Sequence, residues 1–525
     1  MKNFIYLLAP LCLVCGCSGD RLQLADGSAG ISGDAAQHEM IVLGSQLEDP
    51  YSVDNITKAL SSVYPTKAGR VVVEPTDLYV RFLPEDEDEM KQLEAMGLQL
   101  LDHPVDFEIV REGDWYHDPE LDPESITWQY AVVGKDFNFP SWIRYEVLDK
   151  CYIPEHDYST KADGIDWEQV EMESYRLTGN QDLLATQTKS GASSAKPSGR
   201  ITIRDPEYSD EAFGVKGVKV SCNTFVKFAS AYTDEDGNYE MKVNFSSKPR
   251  YRLVFRNSKG FAIGFNLIVS PASSSTLGTA EPSGVDLEIT SSSERKLFMR
   301  SVVNNAGYEY FSSCASKDNN MKLPPANLRI WLFPNLNIGS APMMQQGVII
   351  DESLIAKYLG SFSWIVKMFL PDITLGLKGL YSYSELYSAA VHEFAHASHF
   401  MQAGKDFWNA YVEFILRSFV TSGFVTYGTG TEDDHGYCEV GEMWAYYLQT
   451  VMYRDRYEGS EAAFGANYWF SPQILLNLDE RGLSRAKLLK AFSSDVCDRN
   501  ALQSRLVSLY PEFKSTINQA FGRYE

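Results

Sequence analysis

The stretch that most constrains this chain runs from Ser382 to His399 and contains H-E-x-x-H at His392, Glu393 and His396. On a helix, positions i and i+4 share a face, so two imidazoles at this spacing can grip one metal ion. Glu393 sits beside them, placed to handle the proton of a metal-activated water. The surrounding residues favour a helix. Ser382-x-x-Glu385 is a capping box, and Ala389, Ala390, Ala395 and Ala397 are strong helix formers that leave room around a metal. Gly404 can close the helix as its C′ residue. Such a helix supplies two ligands, whereas zinc needs a third protein ligand and an open fourth position. The fold must therefore carry another donor to this face.

Three downstream donors are candidates. His399 lies at i+7 from His392 on the same face, but seven residues rise about 10 Å along a helix, too far for one ion bound at about 2 Å. It is expected to line the site. Metzincins reach a third His by breaking the helix with Gly, whereas Ala397, Ser398 and Phe400 continue it here. The other candidates are Glu442 and, one turn earlier, Glu439, in Glu439-Val440-Gly441-Glu442-Met443-Trp444-Ala445-Tyr446. Glu442-x-x-Ala445 followed by Tyr446 resembles the E-x-x-A-x-Y pattern around the third ligand of gluzincins. In that family a Glu on a second helix faces H-E-x-x-H.

The resemblance implies a mainly α, zincin-like catalytic domain over residues 292–525. It implies a Zn2+ ion held by His392, His396 and Glu442, with Glu393 as general base. The oxyanion then needs a donor, for which Tyr446, at i+4 from Glu442, and His435 or Tyr437, ahead of that helix, are candidates. No N-E-x-x-S-D motif is present, so Glu439 stays open beside Glu442, as ligand or as a partner that orients a ligating His.

The N-terminus carries Lys2, then an apolar run from Phe4 to Val14, then Cys15-Gly16-Cys17. The run is too short to span a bilayer and fits the h-region of a signal peptide over residues 1–16. Gly16-Cys17 resembles the bacterial lipobox. That implies cleavage before Cys17, lipidation of Cys17, and anchoring to a bacterial membrane, the outer one, on its periplasmic or cell-surface side. Residues 17–35 are polar and Gly-rich, as a tether should be. The net charge of −23 argues against nucleic acid or an anionic membrane surface as partner. Of the 8 cysteines, Cys12 and Cys15 belong to the leader and Cys17 follows it directly. The rest are scattered without a C-x-x-C pair, so neither a disulfide framework nor a structural zinc site is expected.

A chain of 525 residues exceeds what one core usually organises, so a multidomain protein is expected. Residues 36–185 read as an α+β domain: a strand over 71–83, a helix over 85–96 ended by Gly97, and a strand over 98–110. The acidic run Glu85–Glu89 favours that helix N-terminus. Residues 115–158 are aromatic-rich with little periodicity. The domain's place ahead of a peptidase-like segment is that of a prodomain. Residues 186–198 read as a linker.

Residues 199–291 read as all-β, with short alternating runs at 200–204, 218–221, 239–243, 251–255 and 285–289. With Thr233-Asp234-Glu235-Asp236-Gly237-Asn238-Tyr239, this segment resembles the carboxypeptidase regulatory, transthyretin-like β-sandwich. Asp234-x-Asp236-Gly237 reads as a β-turn, because the closing Glu of a calcium loop is missing. Beyond residue 292 an amphipathic helix (294–311), strands at 328–333 and 347–350, and helices at 407–419 and 437–453 precede a helical C-terminus.

The expected function is a lipid-anchored zinc metallopeptidase acting on a protein or peptide substrate. The alternative is a cell-surface lipoprotein that binds a glycan, glycoprotein or protein, with a degenerate zincin domain.

Overall fold

The computed structural model describes residues 40–66, 68, 71–113, 115–122, 125–157, 164–186, 194–264, 272–333, 372–421, 427–458 and 463–524. The expected signal peptide at 1–16, Cys17, the expected tether at 17–35, the expected strand at 347–350 and most of the expected linker lie outside them.

The chain opens with β1 (Val42–Gln46) and α1 (Val53–Val63), then β2 (Asp77–Leu83), α2 (Glu87–Ala95), β3 (Phe107–Arg111), β4 (Gln129–Gly134), β5 (Arg144–Cys151) and α3 (Trp167–Leu177). β2 is the centre of an antiparallel sheet ordered β4-β2-β5, while β1 pairs with β3. The acidic run is a helix N-terminus, as expected. Asp86 caps α2 by accepting from the Glu89 N–H at 2.9 Å, and the Glu89 carboxylate accepts from the Glu85 N–H at 2.8 Å. The strand expected over 98–110 is confined to its end, at β3. The aperiodic stretch 115–158 holds two strands. Most of β4 is buried on both faces, which removes the alternation that would have revealed it.

Next come β6 (Ser198–Ile203), β7 (Phe213–Gly214), β8 (Val218–Thr224), β9 (Lys227–Tyr232), β10 (Asn238–Glu240), β11 (Arg250–Asn257), β12 (Ala262–Gly264), β13 (Ser274–Thr279) and β14 (Leu287–Ile289). β6 pairs with β10, β14 and β7 in one sheet; β11, β8 and β9 lie in another. The Asp234 carboxylate accepts from the Asp236 and Asn238 N–H groups at 3.0 and 2.8 Å, closing the turn ahead of β10. Gly237 has φ +85°, and a Cβ there would lie 2.1 Å from the Ile201 carbonyl oxygen. The turn thus engages the Asp234 carboxylate through its own backbone.

The C-terminal part comprises α4 (Arg295–Cys314), β15 (Arg329–Phe333), β16 (Ile373–Gly376), α5 (Tyr383–Ala403), α6 (Lys405–Thr421) and α7 (His435–Tyr457), followed by α8 (Gln473–Glu480), α9 (Arg485–Leu489), α10 (Arg499–Leu509) and α11 (Lys514–Gly522). β12 pairs in parallel with β15, and β15 with β16, so the larger sheet runs β16-β15-β12-β11-β8-β9. One hydrophobic core extends from Ile201 to Phe521. Neither sheet nor core breaks at 291/292. The molecule is an α+β protein with several sheets. No helix among the described residues is long and apolar enough to cross a membrane. Cys151, Cys222, Cys314, Cys438 and Cys497 are all free.

Candidate metal centre

α5 begins as its sequence dictates. The Ser382 hydroxyl accepts from the Glu385 N–H at 3.1 Å, and the Glu385 carboxylate accepts from the Ser382 N–H at 3.0 Å. The helix ends at Gly404, whose φ of +86° suits a residue without Cβ. Between these caps α5 is buried along most of its length. Phe394 packs on Phe261, Tyr310 and Phe311, and the Ser398 hydroxyl meets the Tyr310 hydroxyl at 2.5 Å. On another side, Trp444 of α7 donates its Nε1–H to the Ala395 carbonyl at 2.8 Å. These contacts fix the rotation of α5 and turn His392 and His396 toward α7.

The two Nε2 atoms of His392 and His396 lie 3.1 Å apart. Glu442 places Oε2 at 3.5 Å from His392 Nε2 and Oε1 at 3.5 Å from His396 Nε2. Ligands at 2.0–2.1 Å around a tetrahedral zinc ion are separated by about 3.3 Å. Two imidazole nitrogens and a carboxylate therefore stand at the mutual spacing of zinc donors, and these donor types could hold a metal ion. Glu393 Oε1 lies 4.0 Å from His392 Nε2, so the carboxylate expected as base borders the cluster. All four side chains are buried.

Two residues that the motif did not reveal complete the arrangement. His392 Nδ1 lies 3.1 Å from Gln449 Oε1. An amide oxygen only accepts, so this contact puts the imidazole proton on Nδ1 and leaves the Nε2 lone pair facing the cluster. The Tyr411 hydroxyl of α6 donates to Glu442 Oε1 at 2.5 Å. Tyr411 reads in the sequence only as a member of an apolar helix face. Gln449, at i+7 from Glu442, was legible only once α7 was known to face the histidines.

Charge follows burial. Burial pushes the His392 imidazole down, but the Glu442 carboxylate, with Glu393 and Gln449, outweighs it and leaves its pKa raised. Burial, then His392 and His399, hold the His396 imidazole well below its usual range, so His396 is neutral, as a ligand must be.

The remaining candidates separate cleanly. Glu439 is engaged elsewhere: its Oε1 meets Arg499 Nη2 at 2.6 Å and its Oε2 accepts from the Arg499 N–H at 3.0 Å. His399 sits among the rings of Phe407, Trp408, Trp444 and Phe492, and neither of its nitrogens has a hydrogen-bond partner. Burial holds it at about 3. The Tyr446 ring lies against His392, with centroids 4.4 Å apart. His435 is the first residue of α7, about two turns before Glu442. Its ring packs on Trp469, and its Nδ1 lies 2.7 Å from the Glu432 carbonyl. Tyr437 packs against Phe407.

No family model, no curated protein and no solved structure matches this chain.

Proposed function

We propose that this chain is a zinc-dependent metallopeptidase, anchored to a bacterial membrane through a lipid on Cys17. In this reading residues 292–525 are its zincin-like catalytic part and residues 199–291 a carboxypeptidase regulatory-like accessory sandwich. The observation that carries the reading is the convergence of His392, His396 and Glu442, from two helices far apart in sequence, at the spacing of zinc donors.

A bound zinc ion lowers the pKa of a water and polarises the scissile carbonyl. The protein's own groups do the rest. Gln449 holds His392 in the tautomer with a free Nε2, and Tyr411 orients the Glu442 carboxylate. Glu393 takes a proton from the attacking water at a carboxylate oxygen. As the water oxygen bonds to the carbonyl carbon and the C–N bond breaks, Glu393 returns that proton to the leaving amine nitrogen. Tyr446, whose ring lies on His392, is the candidate to donate to the oxyanion. His435 and Tyr437 are weaker candidates, because their rings pack on Trp469 and Phe407 rather than on His392.

Metal analysis joined to a peptide-library cleavage assay tests this. Wild type should carry one zinc per chain and cleave peptides, His392→Ala should lose the metal, and Glu393→Ala should keep it while hydrolysis falls by at least 10²-fold. Purified wild-type protein without stoichiometric metal would reject the reading in favour of a binding lipoprotein. Undiminished hydrolysis by Glu393→Ala would reject the mechanism.

A further inference from the structure

Outside the His–Glu cluster, the N-terminal part holds a cleft of 810 Å³ bounded by residues of β1, β2, β4 and the loops around Asp49 and Asp118. Two features of its lining stand together. The rings of Tyr79, Phe107, Tyr116 and Tyr130 give it apolar walls. Between them stand six acidic side chains: Glu48, Asp49, Asp106, Asp118, Glu120 and Asp149. The single cation of the lining, Arg81, is already matched. It pairs with Glu146 at 2.6 Å and lies 4.1 Å above the Trp128 ring.

Burial, more than mutual repulsion, sets the protonation of two of these groups. Burial, reinforced by Asp149 and Asp106, raises Asp49 to about 8, and burial with Asp54 and Asp106 raises Asp149. A positive charge entering the cleft would favour the ionised form of both groups.

We propose that this cleft is a binding site for a lysine- or arginine-bearing peptide segment. The ammonium or guanidinium group sits among the carboxylates, while its stem or planar face lies on the aromatic rings. Carboxylates supply charge-assisted acceptors, and aromatic faces attract cations at short range. The volume falls in the range that takes a ligand larger than one side chain, here a few peptide residues.

The lining distinguishes this ligand from two others. A neutral glycan gains no charge-assisted bonds from the excess of acidic groups, whereas a cation does. A divalent ion could use Asp49, Asp149 and Cys151, whose ligand atoms lie within 4.8 Å of one another, but it would leave the rings and most of the volume unused.

The test uses the full chain, with labelled tetralysine, tetraarginine and tetraglutamate, maltotetraose and calcium as probes, followed by fluorescence anisotropy or calorimetry. The basic peptides should bind and weaken as salt rises from 50 to 300 mM. The exposed pair Glu48→Gln/Glu120→Gln, and separately Tyr116→Ala, should each weaken them at least tenfold with an unchanged melting temperature. Failure of the basic peptides to bind, affinity unmoved in both variants, or tighter binding of maltotetraose or calcium than of the peptides overturns the proposal. None of these readouts depends on zinc or on hydrolysis.

Discussion

Glu439 and Glu442 lie one turn apart on α7, and only their partners tell them apart. Glu442 faces two imidazoles and the Tyr411 hydroxyl, whereas Glu439 grips Arg499. Glu442→Gln should therefore lose zinc. Glu439→Gln should keep zinc but lose stability, by about 2 kcal/mol, because Arg499 is left with a neutral partner at a largely buried site. Zinc titration and urea unfolding of the two variants separate these outcomes, and zinc loss from Glu439→Gln alone would reverse the assignment. His399 gives a second residue-scale prediction. Its pKa is about 3 in the folded chain and near 6.5 when unfolded. Between those values the unfolded chain binds the extra proton, so the stability tied to neutral His399 is present above pH 6.5 and is lost as pH falls toward 3. From pH 7 to pH 5 that loss is roughly 2 kcal/mol. His399→Leu should show a correspondingly smaller loss over the same interval in urea unfolding; identical pH dependence in the two proteins would reject the account. On helix rise, the sequence alone favours His399 as a lining residue over a ligand. It could not reveal the aromatic box that keeps the ring neutral, because Phe407, Trp408, Trp444 and Phe492 come from three further segments.

At the scale of elements, the candidate centre depends on how closely α4 approaches α5. Gly307 sits at that contact, and a Cβ there would lie 2.6 Å from the Phe261 ring and 2.7 Å from the Phe394 ring. Two effects oppose each other in Gly307→Ala. Alanine gains about 1 kcal/mol of helix propensity, while forcing a methyl group into a packed core costs about 1–3 kcal/mol. Both rings are buried and already packed against each other, so neither can swing aside freely. The net expectation is destabilisation by about 1–2 kcal/mol, with weaker zinc retention as α5 shifts, measured by urea unfolding and chelator competition. A stabilised variant would show that the helices have room to spare. The capping box, Gly404 and α7 were legible locally, since caps and 3.6-residue periodicity are short-range signals. The sequence of α4 reads as amphipathic, but the helix is buried on most sides, because it packs between the larger sheet and α5. The parallel pairing of β12 with β15 had no local signal at all. Its partners are separated by α4, and such contacts are set by topology rather than by neighbouring residues.

For the whole molecule, the question is whether the N-terminal part can leave. Its position before a peptidase-like segment suggests a prodomain, but its packing argues for a permanent component. The β8–β9 hairpin turns through Phe225 and Val226, and Phe225 has φ +45°, a conformation that Gly adopts without cost. That strain is offset by burial. Both residues enter a core formed by Tyr51, Tyr79, Trp128, Tyr130, Cys151, Ile153 and Tyr175 of the N-terminal part. Next to them, Lys227 is buried and bonds Glu155 at 2.7 Å and both Glu171 oxygens at 3.1 Å. Separation would expose Phe225 and Val226 and the aromatic core around them to water, which is where the cohesion of the two parts lies. A single proteolytic nick within residues 187–193 should therefore leave both fragments in one particle by size-exclusion chromatography. Lys227→Met should destabilise the intact chain by about 3 kcal/mol, because Glu171 stays buried without its cation, and should let the nicked fragments part at lower urea. Fragments that separate in native buffer, with hydrolysis released on nicking, would instead establish the prodomain role. A nicked complex that holds together would mean that the hairpin locks the cleft of the N-terminal part to the sheet shared with the His–Glu cluster, so the two sites travel on one body.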